Sequence, residues 1–369
     1  RKVSLPTYPF QRERFWIEKA PGRGIQTLVL ESAALNPLLQ KESRSPLIRE
    51  TYFESQLDIQ SPSFLGEHRI FGKAVVPATG YIEMSMAAAR EVFGEGPHRI
   101  EDMVFHQALV LPDDGYAKVQ IVLSQEEAGR SDFKIISLNG TVKAAQDSWT
   151  LHVSGSIGIS RGANVASAKD HDSIETIRLR CVMEVTAETL YREFREKGIA
   201  FGPRFQGVRR IWRKDGEALG RLQIPEAVLA EMERYQAHPA FLDACIQIFD
   251  SVRPESSRSD VYLPFSLERF QLHGSLGSRL WSHAVLREGT ASGTLAGDVR
   301  LFNDQEQLVA EVSGLVFKHT SSEAFQRAIG GGSEDCLYEV AWLPQAVRQC
   351  EDTAVSGVGH PGTWVIFGD

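Results

Sequence analysis

Alternation of apolar and polar residues begins near Leu47 and recurs along most of the chain. In the first half the runs Arg99 to Leu111, Tyr116 to Ser124, Phe133 to Ser137 and Trp149 to Ile157 follow it. Their period of two and their β-branched residues predict strands. One segment interrupts them. Ala78 to Phe93 is rich in Ala and Met and apolar on nearly every face, which predicts a buried helix. A helix enclosed by an antiparallel sheet is the simplest architecture for that combination. The pattern then repeats. Val208 to Trp212, Ala218 to Ile224, Leu280 to Arg287, Gly297 to Phe302 and Gln307 to Phe317 predict strands, with a helix over Pro239 to Val252 between them. Pro239 suits the first turn of that helix. The run LPFSLERFQLH, Leu263 to His273, reads as a strand with Pro264 at its edge. Both halves close on similar strand sequences, LHVSGSI near 151 and VAEVSGLVF near 309. This faint internal repeat suggests a duplicated α+β unit.

The intervening segments set the expected boundaries. Residues 1–45 carry Pro6, Pro9, Pro21 and Pro37 without sustained periodicity and read as an extended linker. The halves are expected at 46–162 and 178–320, joined by a polar internal linker at 163–177. Residues 321–369 combine a flexible exit, AIGGGSED, with a new strand-like start, LYEVAW, and a closing GTWVIFGD. The N-terminus has neither an initiator Met nor the apolar core of a signal peptide, and the chain reads as a piece of something longer.

Composition narrows the classes of function. The chain has 369 residues, 42% hydrophobic and 24% charged, which suits an ordinary globular protein. No apolar run reaches the ~18 residues that span a bilayer. A net charge of −8 weighs against nucleic acid as a partner. Cys181, Cys245, Cys336 and Cys350 lack zinc-ligand spacing. They fit a reducing cytoplasm, with Cys245 as a buried thiol.

Two runs carry candidate chemistry. In FLGEHRIFGKAVVP, His68, Gly72 and Pro77 have the spacing H-x₃-G-x₄-P. Gly72 allows a tight turn and Pro77 stiffens the entry to the helix. A histidine held on such a turn among apolar neighbours can accept a proton near neutral pH. In HPAFLDACIQIF, Asp243 sits on an apolar helix with Gln247 one turn on. Burial there would keep the carboxyl partly protonated and able to serve as an acid. Each residue taken alone also fits a structural role, as a loop histidine or as an aspartate favoured by a helix N-terminus. A third run, KGIAFGPRFQGVRRIW, marks a turn at Gly198, Gly202 and Pro203 flanked by Phe201 and Phe205. Its Arg204, Arg209, Arg210 and Arg213 could meet an acidic protein or could form a solvated strand face.

Together these runs resemble the dehydratase domain of modular type I polyketide synthases. H-x₃-G-x₄-P is met at His68, Gly72 and Pro77. H-P-x-x-x-D-x-x-x-Q is met at His238, Pro239, Asp243 and Gln247. L-P-F-S is met at Leu263 to Ser266. The family's Gly-Tyr-x-Tyr-Gly-Pro-x-Phe pattern is met only in part, with Ile199 and Phe201 at the tyrosine positions. The resemblance covers roughly 46–320, and the flanks look like a post-acyltransferase linker and the entry to a ketoreductase-type region.

The resemblance implies an α+β double hotdog, two long helices each wrapped by an antiparallel sheet, with one active site between the halves. His68 would remove the C2 proton of a 3-hydroxyacyl chain and Asp243 would protonate the departing hydroxyl, leaving a 2-enoyl thioester. Gly72, Pro77, Phe201, Gly202, Pro203 and Gln247 would position the substrate. Backbone N–H groups near Gly72 or at the start of the Ala78 helix would meet the thioester carbonyl. The substrate would arrive on the phosphopantetheine of an acyl carrier protein, docked through the arginines, with no metal and no bound cofactor. Acyltransferase and ketoreductase-type domains in the same polypeptide, and a second copy in a homodimer, are the further partners implied. Dehydratase-like domains can also close an oxygen ring, shift the double bond or epimerise C2, and a silent structural role is the remaining alternative.

Overall fold

The computed structural model describes residues 36–44, 50–138, 149–160, 172–254, 258–289 and 293–329. The expectations for 1–35, for 161–171 and for 330–369, including Cys336 and Cys350, lie outside the described residues. The first half runs β1 (Lys41–Arg44), β2 (Thr51–Leu57), β3 (His68–Ile70), β4 (Lys73–Ala74), α1 (Ala78–Phe93), β5 (His98–Phe105), β6 (Ala117–Leu123), β7 (Arg130–Leu138) and β8 (Trp149–Ile159). The second half opens with α2 (Ile174–Arg180), β9 (Met183–Thr186), α3 (Ala187–Glu196), β10 (Ile199–Phe201), β11 (Val208–Lys214) and β12 (Glu217–Gln223). It continues through α4 (Glu226–Leu229), α5 (Pro239–Gln247), β13 (Val261–Leu272), β14 (Arg279–Leu286), β15 (Thr294–Phe302), β16 (Leu308–Thr320) and α6 (Ser322–Ile329).

Among the described residues, 13 strands make one antiparallel sheet in the order β1-β2-β6-β7-β8-β5-β13-β16-β15-β14-β12-β11-β9. The two halves meet where β5 pairs with β13. β8 and β16, the strands with the similar sequences, flank that central pair, one on each side. α1 packs on β5, β6 and β8, α5 packs on β12 and β14, and the two helices touch each other. This is the double hotdog. α1 is buried continuously from Thr79 to Ala89. Its Ala87, Ala88 and Ala89 are small enough to let the sheet approach closely.

Two elements differ from the periodicity. The Arg99–Leu111 run stops as a strand at Phe105, and within it the pairing with β8 shifts register between Glu101 and Val104, where Asp102 takes φ 53°. Its remainder turns to cover the entry of α1. Leu109 accepts from the Val76 amide and the Leu111 amide donates to Ala74. The second central helix is α-helical only to Gln247 and tightens to a 3₁₀ turn over Ile248–Val252. There Ile248 and Phe249 fill the space left by Gly220 and Gly297, whose Cβ positions fall 2.4 Å from those side chains.

A small second sheet, β10-β3-β4, joins the halves a second time. Phe201 lies opposite His68 and Ile199 opposite Ile70.

Candidate active site

His68 ends a 3₁₀ turn, Ser63–Glu67, and begins β3. The hairpin that follows needs left-handed backbone at Phe71 (φ 47°) and Gly72 (φ 80°), and glycine adopts that conformation without strain. The return strand brings the Val75 carbonyl to 2.8 Å from His68 Nδ1. A carbonyl only accepts, so in the neutral ring Nδ1 carries the proton and Nε2 is the basic nitrogen. The imidazole is nearly buried, with the Phe201 and Phe205 rings at 5.6 and 5.3 Å.

Asp243 comes from the other half, on α5. His238 caps that helix, its Nδ1 accepting from the Ala240 amide at 3.2 Å. Burial and the charge of Arg204 hold His238 down to about 3, so it stays neutral. Burial pushes the Asp243 carboxyl up, opposed by His68 and by the hydrogen bond from Gln247. Gln247 Nε2 donates to Asp243 Oδ2 at 2.9 Å and to the Phe205 carbonyl at 3.2 Å. His68, Phe201, Asp243 and Gln247 line one cavity of about 450 Å³. Its remaining wall is largely aromatic and aliphatic, including Phe194, Phe249 and Phe317. An imidazole with a free ring nitrogen thus faces, from the opposite half of the chamber, a carboxyl held above its usual range.

The other residues singled out from sequence divide into two groups. Phe201 and the LPF segment Leu263–Phe265 line the cavity. Pro264 sits past the end of the β13–β5 pairing, which starts at Ser266, so its missing N–H costs that ladder nothing. Gly72, Pro77, Gly202 and Pro203 do not line the cavity and act on the backbone instead. Gly72 turns the β3–β4 hairpin, and Pro77 is the N-cap of α1, whose first residue Ala78 opens onto the cavity. Gly202 lets Glu67 approach, since a Cβ there would lie 2.6 Å from it. Pro203 starts the 3₁₀ turn Pro203–Phe205 that presents the carbonyl held by Gln247.

The docking arginines need correction. Arg213 is fully buried, and its guanidinium donates to Asp215 Oδ1 at 3.0 Å and to the Arg253 carbonyl at 2.7 Å. It has no face to offer a partner. Arg204 pairs with Glu67, and its amide donates to Glu67 Oε2 at 2.8 Å, so it ties the halves together beside His68. Arg209 is exposed, as is Arg210, which pairs with Glu184 at 3.1 Å. None of the four lines the cavity.

Two residues outside the cavity lining escaped the sequence reading. Tyr191, on α3, donates its hydroxyl to the Phe205 carbonyl at 3.3 Å and accepts from the Val208 amide at 3.1 Å. It therefore braces from behind the same carbonyl that holds Gln247. The apolar face Leu190, Tyr191, Phe194 on a short helix was its only signal. Glu83, a carboxylate in the buried stretch of α1, is fully buried. A charge in that setting was the signal.

Comparison with known proteins agrees with this architecture. A family model described as polyketide synthase dehydratase domain matches residues 36–138, and one described as polyketide synthase dehydratase N-terminal domain matches 169–327. Polyketide synthase GfsB of Streptomyces halstedii is 30% identical over 98% of the chain, and erythronolide synthase EryA2 of Saccharopolyspora erythraea is 26% identical over 93%. The chain spans only 6% and 9% of those two proteins. The solved dehydratase domain from the CurF module of curacin polyketide synthase is 31% identical, with a TM-score of 0.70 over 77% of this chain and 99% of that one. The chain belongs to the dehydratase domains of modular polyketide synthases.

Proposed function

We propose that this domain eliminates water from a 3-hydroxyacyl thioester, with His68 as the base and Asp243 as the acid. His68 Nε2 takes the C2 proton, the C3–O bond breaks, and the proton of the Asp243 carboxyl goes to the departing hydroxyl. A 2-enoyl thioester and water remain. At the start of α1 the Ala78 and Thr79 amides come before any helical acceptor, whereas the Gly80 amide donates to the Pro77 carbonyl at 2.9 Å, and Ala78 lies on the cavity. The Ala78 and Thr79 amides suit the thioester oxygen as negative charge develops on it. The exposed turn at Gly72 does not reach that position.

The observation that carries this reading is the meeting of a tautomer-fixed histidine and a raised carboxyl, from separate halves, on one apolar cavity. Solved structures of the CurK dehydratase, 28% and 29% identical, add support. In that protein a histidine-to-phenylalanine variant and an aspartate-to-asparagine variant are each inactive.

On this reading the substrate rides on the phosphopantetheine of an acyl carrier protein. The neighbouring partners are acyltransferase and ketoreductase-type domains of one polypeptide, and the domain pairs with a second copy. The setting is the cytoplasm, where the buried thiols of Cys181 and Cys245 stay reduced. No helix among the described residues is long and apolar enough to cross a membrane. The test is mass spectrometry of a panel of 3-hydroxyacyl thioesters incubated with the domain. Loss of one water to a 2-enoyl product on at least one member is expected, and no dehydration of any member counts against the proposal.

A further inference from the structure

Glu83 takes no part in the chemistry proposed above, yet it is the fully buried carboxylate of the central helix α1. Its Oε1 accepts from the Gln236 amide at 2.9 Å and its Oε2 from the Ala237 amide at 2.8 Å, and the Asn36 side-chain amide donates to Oε1 as well. Gln236 and Ala237 immediately precede His238 and Pro239, where α5 begins. Asp243 follows Ala237 by six residues, less than two helical turns at about 3.6 residues per turn. The contact also crosses from the first half to the second. One helix thus opens onto the cavity at Ala78 and, further along, grips the start of the helix that carries Asp243.

A carboxylate amid Ala and Met is costly to bury unless its bonds repay it. An apolar residue would instead leave two backbone N–H groups without acceptors. We infer that Glu83 is a positioning residue for dehydration, holding the origin of α5 so that Asp243 meets the substrate opposite His68. This rests on the reading of Asp243 as the acid.

The ionised form of Glu83 accepts from all three donors, whereas protonation turns one oxygen into a donor facing donors. Burial pushes this carboxyl up to about 7 against those hydrogen bonds and the charge of Arg90. The Tyr235 phenol also faces it, pushed up by burial, by Glu231 and by Glu83 itself, with Arg234 opposing. Asp243 should therefore lose its register as pH falls through about 7.

The test is steady-state turnover of a small 3-hydroxyacyl thioester by the whole chain, from about pH 6 to about pH 9, for wild type, Glu83→Gln, Asn36→Ala and Asp243→Asn. Circular dichroism and melting are followed in parallel. Glu83→Gln should lower kcat about tenfold or more at alkaline pH, with KM within about twofold and the fold retained. Asn36→Ala keeps the carboxylate but removes one donor that lowers its pKa, so the acid limb of kcat should move to higher pH with the alkaline plateau unchanged. Should Glu83→Gln fail to fold, this second variant decides alone. A kcat for Glu83→Gln within twofold of wild type overturns the inference. So does a fall in kcat that only tracks a fall in melting temperature, or an acid limb unmoved in Asn36→Ala. Near-wild-type turnover by Asp243→Asn overturns the acid assignment, and this inference with it. An impaired Asp243→Asn beside an intact Glu83→Gln overturns the inference alone.

Discussion

Phe201 stands directly opposite His68 on the paired strands β10 and β3, its ring centroid 5.6 Å from the imidazole. By resemblance a tyrosine belongs there, so the phenyl ring leaves Asp243 to rely on Gln247, on water or on the substrate. The ring is wedged edge-on against Phe194 at 5.0 Å and lies nearly parallel to Phe205 at 6.0 Å. Phe201→Tyr adds one hydroxyl to a residue that lines the cavity. We expect an intact fold and simple dehydration unchanged or faster, by a few-fold up to about tenfold, from one hydrogen bond of about 0.5–1.5 kcal/mol. If the cavity serves ring closure, the cyclised share should fall with a substrate carrying a distal hydroxyl. A collapse of dehydration would mean that the hydroxyl is sterically excluded.

Gln247 holds Asp243 and is itself held by the Phe205 carbonyl. Gln247→Leu should cost about tenfold in kcat, in line with one lost hydrogen bond of about 1–1.5 kcal/mol. The sign of the accompanying pH effect is fixed. The Gln247 bond lowers the carboxyl pKa, so its loss raises that pKa and keeps the acid protonated to higher pH. The alkaline limb of the kcat profile should move upward. A downward shift would contradict the role given to Gln247.

Away from the cavity, Glu217 on β12 receives Arg180 through both oxygens, at 3.0 and 2.8 Å, and His283 at 2.7 Å. Burial opposes its charge, yet Arg180 and His283 hold the carboxyl down to about 2. A carboxyl depressed in the folded state contributes stability above its unfolded pKa, and that contribution fades as pH falls toward about 2. Glu217→Ala should cost about 2–3 kcal/mol at pH 7, less than a fully buried pair because Arg180 keeps 34% of its side chain in solvent. In urea titrations the gap between variant and wild type should narrow below about pH 4.5, the ordinary Glu value. A gap independent of pH would show that packing, not charge, sets the cost.

Of the arginines proposed for docking, Arg209 and Arg210 keep exposed positions on β11. Reversing both charges should slow turnover of carrier-bound substrate and leave a small thioester mimic unaffected. Equal loss with both substrates would point to the fold.

How much of this was legible in advance depended on the distance over which each signal acts. Period-two runs located most strands of both halves, and the Ala- and Met-rich run located α1 over Ala78–Phe93, because both patterns are local. β2 and α3 were harder. Thr51–Leu57 places Thr51 and Ser55 beside Phe53 and Leu57 on its inward face, which blurs the alternation, and Ala187–Glu196 buries only Leu190, Tyr191 and Phe194. The fixed spacings singled out His68 and Asp243, which the fold brings onto one cavity. What lay beyond reach was pairing across the halves. Nothing near Gly202 in sequence announces Glu67, and nothing near Glu83 announces Gln236. Arg213 reads as a surface charge in a basic run, yet its strand turns it inward toward Asp215 and the Arg253 carbonyl.

The central claim is that His68 and Asp243 act on one substrate as base and acid, and turnover of a 3-hydroxyacyl thioester by His68→Ala and Asp243→Asn tests it most directly. With circular dichroism unchanged, each variant should lose roughly 10² to 10⁴-fold in rate, as loss of a positioned acid or base does. A folded variant of either residue that dehydrates the thioester at close to the wild-type rate would contradict the account.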